Sequence, residues 1–303
     1  SVASGTGCKW TPFSQADWIK ITSWSNISGT GVVQYSASPN PAREPRTGSL
    51  MVGGQTFTII QGPAEIVLAA QRVVNAASYL AGPLAPGEIV SLFGAFTGPV
   101  SPATLELSRD GKFVTTTLAG TQVFFDDLPA PLLYVSDTQV SAIVPFALAG
   151  KSSTQLRLAH QGLQSKPVTL KVAPAAPALF TADAWGNGQG AILNQDYQLN
   201  SAARPAARNS VVMLFATGAG QTEPAGVDGQ IIGQTLPKPL LPVSVRMGGL
   251  NARVLYAGAA PGLVSGVLQV NVQVPAVTPG SAIPVVLRVG EAESQAQVTL
   301  AVN

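Results

Sequence analysis

Two stretches of this 303-residue chain decide its fold: Val168-Thr169-Leu170-Lys171-Val172 and Val298-Thr299-Leu300-Ala301-Val302. Both are short and rich in β-branched residues, which is typical of β-strands. They lie 130 positions apart, and at the same spacing Val144-Pro145 recurs as Val274-Pro275. The chain therefore contains an internal repeat.

Further upstream the repeat continues at a shorter spacing of 122 positions. Two dipeptides recur there: Leu92-Phe93 as Leu214-Phe215, and Leu133-Tyr134 as Leu255-Tyr256. The second copy has therefore gained eight residues between Tyr256 and Val274. Because insertions are tolerated best in connecting segments, we expect these residues in a loop.

Each copy consists of short alternating strands with turn signals between them, which predicts an immunoglobulin-like β-sandwich. We assign the copies to residues 63–173 and 174–303. The linker Ala173-Pro174-Ala175-Ala176-Pro177 is proline-rich and short. Because proline fixes φ and restrains the residue before it, we expect the two sandwiches to be held end to end.

Residues 1–62 also show short strand patterns separated by Gly, Asn and Pro clusters. The Gly53-Gly54 pair, between two such patterns, is a signal for a two-residue hairpin with positive φ. The sequence thus predicts an all-β protein of three tandem immunoglobulin-like β-sandwich domains in an elongated arrangement.

Composition excludes several classes of function. Lys and Arg number 17 and Asp and Glu 15, which gives a net charge of only +2 and no basic cluster for nucleic acid. No run of apolar residues is long enough to insert in a membrane. A single cysteine, Cys8, and a single histidine, His160, cannot form an intramolecular disulfide or a histidine metal site. We expect no cofactor and no metal.

Two family resemblances follow from further motifs. Residues 8–61 resemble the BACON domain, a small immunoglobulin-like module of secreted bacterial proteins, through Cys8-Lys9-Trp10, Trp18-Ile19-Lys20-Ile21, Gly29-Thr30-Gly31-Val32-Val33-Gln34-Tyr35, Asn40, Arg46-Thr47-Gly48 and Phe57-Thr58-Ile59-Ile60-Gln61. Residues 73–302 are similar to an uncharacterised C-terminal domain of large secreted acidobacterial proteins, through Asn75-Ala76-Ala77-Ser78-Tyr79, Pro86-Gly87-Glu88-Ile89-Val90, Tyr256-Ala257-Gly258-Ala259-Ala260-Pro261-Gly262 and Gln269-Val270-Asn271. Together the resemblances imply an exported, modular, non-catalytic surface protein.

The first domain departs from the BACON pattern at its start. The resemblance implies an opening strand before Cys8, whereas only residues 1–7 precede it, and two of these are glycine. A sandwich without its first strand exposes unpaired backbone groups, which a strand from another chain can complete. The alternative is that residues 1–7 form a short edge strand.

Tryptophans are concentrated in this first domain. Trp10 and Trp18 lie in strand patterns, so we expect them in the core. Trp24 lies in a polar stretch, so it is our candidate for contact with a glycan or another subunit, together with Asn26. Asn26-Ile27-Ser28 also matches the N-glycosylation acceptor pattern.

We find no catalytic motif. We expect His160 in an exposed hairpin turn, and Asp126-Asp127 in a turn without spaced ligands for calcium. Gly186-Asn187-Gly188-Gln189-Gly190 is glycine-rich but lacks the strand, helix and lysine of a phosphate-binding loop. We therefore predict that the chain is not an enzyme.

The sequence favours a non-catalytic structural or adhesive protein of the bacterial cell surface, a subunit of a filament assembled by head-to-tail β-strand complementation. Its partners would be other copies of itself, since low charge reduces repulsion between identical chains. The alternative is a carbohydrate-binding or spacer module of a larger secreted protein. A chain that starts at Ser1, without a charged and an apolar signal segment, fits a secreted protein whose signal peptide has been removed, and it fits equally a chain cleaved from a tag.

Overall fold

A computed structural model describes residues 1–24, 29–40, 42, 44–63 and 65–303. The chain divides into two units, Ser1–Glu65 and Ile66–Asn303. The boundary lies three residues after the end that we expected for the first domain. Apart from residues 63–65, both repeat copies lie within the second unit.

The first unit is a small sandwich of two sheets. Its strands are β1 Pro12–Ser14, β2 Ile19–Trp24, β3 Val33–Ala37, β4 Arg46–Val52 and β5 Gln55–Gln61. One sheet has the order β1-β4-β5, and β2 pairs with β3 in the other. Trp10, Ile19 and Leu50 are buried between them.

The first repeat copy forms two five-stranded sheets, β6-β7-β12-β11-β8 and β10-β9-β13-β14 with β15 beside β13. Its strands are β6 Val73–Asn75, β7 Ile89–Phe93, β8 Ala103–Thr104, β9 Thr121–Phe125, β10 Leu128–Pro129, β11 Leu132–Val135, β12 Gln139–Ile143, β13 Ser153–His160, β14 Leu163–Gln164 and β15 Val168–Lys171, with 3-10 turns at Ala70–Arg72 and Phe146–Leu148. Strands β9 and β13 alternate buried and exposed positions, so one face of each packs on the core.

The second copy repeats the order of the central strands, but its two sheets are continuous. Its strands are β16 Ala178–Leu179, β17 Gly188–Gln189, β18 Ile192–Leu193, β19 Val211–Thr217, β20 Thr222–Glu223, β21 Lys238–Pro239, β22 Val243–Met247, β23 Leu250–Ala259, β24 Leu268–Gln273, β25 Gly280–Val289, β26 Ala292–Glu293 and β27 Val298–Val302. The ten-residue strand β23 pairs with β22 through its first part and with β24 through its second, which joins the sheets.

The structure confirms the internal repeat. Val168–Lys171 and Val298–Val302 both form the strand that pairs with the long strand before it. Strands β7, β12 and β11 pair in the same order as β19, β24 and β23. The extra residues of the second copy lie partly in the loop between β23 and β24, as expected, and partly in the strand β23, which they lengthen.

The two copies keep separate cores and contact each other closely. A third apolar cluster joins them, with Ile89 and Ile143 from the first copy and Val264 from the second. The linker is part of this junction, since Ala176 N–H donates to Gly218 O and Ala175 packs in the second core. The linker is therefore anchored along its length.

The protein is thus all-β, with immunoglobulin-like β-sandwiches in tandem. The elongated arrangement stays a prediction. Of the described residues, none belongs to a helix long and apolar enough to cross a membrane.

Candidate functional site

The β4–β5 hairpin of the first unit forms one side of the candidate site. Gly53 and Gly54 form its two-residue turn with φ of 58° and 80°, as predicted from the sequence. This turn fixes the register, and Leu50 lies directly opposite Phe57. Directly opposed residues project to the same side of a sheet, so both side chains face the core side.

Strand β3 provides the facing wall. Tyr35 pairs with Ile21 of β2, and two positions earlier along β3 Val33 pairs with Trp24. Because residues two apart on a strand share a face, Val33 and Tyr35 both project toward the core side. The rings of Tyr35 and Phe57 meet across the two sheets, with their centroids 6.3 Å apart.

This core side is incompletely covered. Leu50 is 2% exposed, whereas Tyr35 is 42% and Phe57 is 54% exposed. Between the sheets lies an open groove with a volume of about 340 Å³, lined by Ser1, Val2, Ala3, Val33, Tyr35, Leu50, Val52, Gln55, Thr56 and Phe57. None of these side chains carries a formal charge. We call this feature the β3–β5 groove.

The backbone of β3 shows which edge borders the β3–β5 groove. Ser38 donates its N–H to Trp18 O on the β2 side. The backbone N–H and C=O groups of successive residues point to opposite edges of a strand. Those of the even-numbered residues of β3 therefore point toward β2, and those of the odd-numbered residues point toward the outer edge. Gly31 is an odd position, and it exchanges two backbone hydrogen bonds with Val2, of 2.8 and 2.9 Å.

Residues 1–7 therefore do not form the short edge strand that we considered. Only Val2 pairs, through a single bridge at the start of the outer edge. The peptide groups of Val33 and Tyr35 face the same outer side, where no other strand of the described residues pairs with β3. Likewise β5 pairs only with β4 among the described strands. The groove thus lies between two unpaired strand edges.

The three tryptophans of the first unit lie in different environments. Trp10 is buried, as expected, and its indole Nε1–H donates to Gly29 O at 2.9 Å. Trp18 is half-buried under the guanidinium of Arg46, 4.2 Å from the ring centroid. Trp24 is 49% exposed at the end of β2 and does not line the groove. Asn26 lies outside the described residues.

The prediction for His160 was wrong. It is buried at the end of β13, where its Nδ1 lies 2.9 Å from the Thr121 hydroxyl. Asp126 does form a turn, with φ of 56°. Its hydrogen bonds from the Lys151 ammonium and the Gln155 N–H lower the pKa of the Asp126 carboxyl. In the part of the chain that the structure describes, no three metal-ligating side chains come together.

No sequence pattern indicated the acid whose pKa is shifted furthest, Glu88. Glu88 is buried near the junction of the repeat copies, and its Oε2 accepts the Ala85 N–H at 2.7 Å. Loss of hydration raises the pKa of Glu88 to about 8, although hydrogen bonds from Ala85 and Asn75 lower it. Tyr35 and Phe57 were also missed as site residues, since the sequence only assigned them to strands.

No family model matches the sequence, and no curated protein matches it. Among solved structures, the I9-I11 tandem from titin is 9% identical, with 100% of this chain and 90% of that chain covered and a TM-score of 0.22. The mixed-linkage glucan utilization locus protein SGBP-B of Bacteroides ovatus, in complex with a mixed-linkage heptasaccharide, is 13% identical, with 99% of this chain and 65% of that chain covered and a TM-score of 0.32. Tandem Ig repeats of Dlar are 10% identical, with 86% of this chain and 99% of that chain covered and a TM-score of 0.22. Likeness at this level says nothing about what this chain does.

Proposed function

We propose that this chain is a non-catalytic structural or adhesive protein of the bacterial cell surface. Its copies assemble head to tail, and each accepts a β-strand from the next copy in the β3–β5 groove. The observation that carries this proposal is that Tyr35 and Phe57 face the core side of a sandwich and yet remain exposed beside unpaired edges.

A β-strand matches both features of the groove. Its backbone can pair with the outward-facing N–H and C=O groups of Val33 and Tyr35, and alternate side chains can cover the exposed rings of Tyr35 and Phe57. The Val2–Gly31 bridge supports this, because it is a strand-type pairing on the same outer edge. An incoming strand that continues this pairing would run antiparallel to β3.

A second copy is the occupant that the charge pattern favours. The groove offers no charged side chain to a charged peptide. The chain itself is unusually poor in charge, with 11% Asp, Glu, Lys and Arg. Neutral strands are therefore plentiful in another copy, and the two surfaces repel each other little.

The test compares two substitutions on the same edge strand. Phe57→Lys places a charge in the groove, whereas Ile60→Lys places it on the opposite face of β5, where Ile60 is 73% exposed. Analytical ultracentrifugation and negative-stain electron microscopy follow assembly as the protein concentration rises. We expect wild-type and Ile60→Lys protein to form linear oligomers and Phe57→Lys protein to stay monomeric. A monomeric wild type, or equal assembly by Phe57→Lys protein, would overturn the proposal.

One observation favours the second candidate, a glycan-binding or spacer module. Trp24 presents about half of its surface to solvent, and the flat face of an indole can pack on a sugar ring. A glycan array with wild-type and Trp24→Ala protein tests this candidate. Retention of a glycan that Trp24→Ala abolishes would support it, and retention unaffected by Trp24→Ala would exclude Trp24 as its contact.

A further inference from the structure

The most exposed tryptophan of the described residues lies in the second unit. Trp185 is 74% exposed on the loop between β16 and β17. The Trp185 N–H donates to Asp183 Oδ1 at 3.1 Å, and the next N–H, of Gly186, donates to the Thr181 hydroxyl at 3.0 Å. The loop thus holds a large apolar ring in water by polar contacts to its backbone.

A second loop, from the other repeat copy, presents an aromatic ring in a similar way. Tyr79 is exposed and follows the turn that starts at Asn75. The buried Asn75 side chain accepts the Ala77 N–H at 2.9 Å, and the Tyr79 N–H donates to Asn75 O at 2.8 Å. Asn75 Nδ2 also donates to Ala176 O of the linker, which fixes this turn to the second copy.

The two loops touch backbone to backbone. A Cβ on Gly186 would lie 2.4 Å from Ser78 O, so only glycine permits this approach. The buried Gln295 side chain supports the contact, because its Nε2 donates to Leu179 O at 2.7 Å and to Gly186 O. Each aromatic residue is therefore the sequence neighbour of a residue in this contact, Tyr79 of Ser78 and Trp185 of Gly186.

Both loops carry backbone conformations that non-glycine residues rarely adopt. Tyr79 and Ala184 each have a φ of 57°. Such conformations cost free energy and are found most often where a loop holds a binding group in a set position. Trp185 is 74% exposed, so its loop gains little burial of the ring in return. Tyr79 is 38% exposed and its ring centroid lies 6.4 Å from that of Phe93, so only part of its surface is open to a ligand.

The surroundings of this surface are polar and concave. A cavity of about 250 Å³ is lined by Asn75, Ser78 and Leu80 of the Tyr79 loop and by Glu88 and Gln295. No residue of the Trp185 loop lines it, but Ser78 brings it next to the contact with Gly186. Asp183 and Asn187, on either side of Trp185, are exposed. An aromatic face with carboxylate, amide and hydroxyl groups around it matches a sugar ring, which has an apolar C–H face and a rim of hydroxyls.

We infer that Trp185 and Tyr79 form a binding site for a neutral saccharide at the junction of the repeat copies. Trp185 stacks on a sugar ring, Asp183 and Asn187 bind its hydroxyls, and the cavity beside Ser78 accepts a neighbouring group. This site is separate from the β3–β5 groove and does not require assembly. The polar neighbours of Trp185 within its loop, Asp183 and Asn187, favour a saccharide over an apolar protein surface.

The experiment is isothermal titration calorimetry of the 303-residue chain with neutral glucan, mannan and xylan oligosaccharides. We expect the wild-type chain to bind at least one of these oligosaccharides. Trp185→Ala should weaken its binding at least tenfold, and Tyr79→Ala should weaken it by a smaller factor. Tyr197→Ala, at a tyrosine that is 73% exposed, is the matched control and leaves binding unchanged. Because Trp185 is largely exposed, its replacement leaves the unfolding temperature unchanged.

A pair of glycine substitutions tests the geometry. Gly186→Ala collides with Ser78 O, whereas Gly188→Ala has a similar φ, of 80° against 78°, and open space around its Cβ. We expect Gly186→Ala to weaken saccharide binding and Gly188→Ala to retain it. The inference is overturned if wild type binds none of these saccharides, or if Trp185→Ala binds as tightly as wild type. Loss of binding in Trp24→Ala alone would instead support the glycan-binding candidate at Trp24.

Discussion

Leu50 and Phe57 are directly opposite each other on neighbouring strands, but one is buried and the other is half exposed. The difference arises because Leu50 lies on the central strand β4, whereas Phe57 lies on the edge strand β5 beside the open groove. A side chain on the core side of an edge strand needs a facing strand to cover it. Phe57 thus marks the position at which this sandwich is open.

The two residues should differ in their contribution to stability. Leu50→Ala removes a fully buried side chain and is expected to lower the free energy of unfolding by about 2–5 kcal/mol. Phe57→Ala removes a ring that is largely hydrated already, so we expect a loss of about 1 kcal/mol or less in the monomer. Urea denaturation of the monomeric protein measures both values. Equal losses would mean that Phe57 is covered in solution.

Glu88 should make stability depend on pH. The pKa of the Glu88 carboxyl is about 8 in the folded chain, against an ordinary value of 4.5. Between pH 4.5 and about pH 8 the folded chain therefore keeps the proton, whereas the unfolded chain releases it. Stability attributable to Glu88 is therefore fully present below about pH 4.5 and falls as the pH rises to about 8.

Glu88→Gln keeps an oxygen that can accept the Ala85 N–H but does not ionise. We expect the unfolding temperature of Glu88→Gln protein to fall less between pH 5 and pH 9 than that of wild type, as measured by calorimetry. Glu106→Gln, at an exposed position, is the control and should follow wild type. If Glu88→Gln and wild type show the same pH dependence, Glu88 does not titrate in this range.

The hairpin extended in the second copy should stabilise the junction between the copies. A Cβ on Gly266 would lie 2.3 Å from Gly87 O, whereas Gly262, in the same turn, has open space around it. Both have positive φ, so alanine strains the backbone at each by roughly 1–2 kcal/mol. We expect Gly266→Ala to lower the unfolding temperature clearly more than Gly262→Ala. Similar effects would show that this contact contributes little.

Local signals in the sequence predicted the fold well. The paired glycines at positions 53 and 54 identified a hairpin, and the recurrence of Val168–Val172 as residues 298–302 identified the repeat. These features depend on residues close together in the chain or on copies of the same pattern. The family resemblances stay a prediction.

The site residues depend on contacts between distant segments, which alternation alone does not reveal. The pattern of β5 shows which face Phe57 occupies but not whether a strand covers that face. His160 is buried because Thr121 lies beside it on a neighbouring strand. Trp185 lies next to a glycine-rich loop that we interpreted only as unsuited to phosphate, and its relation to Tyr79 arises from packing between the copies.

Residue-resolved hydrogen exchange in the monomeric and the assembled protein tests strand addition to the β3–β5 groove most directly. We predict that assembly slows exchange at the N–H groups of Val33 and Tyr35, which face the outer edge of β3. The N–H of Gln34 faces β2 and should change little. Unchanged exchange at Val33 and Tyr35 in assembled protein would contradict the account, because the copies would then associate through another surface.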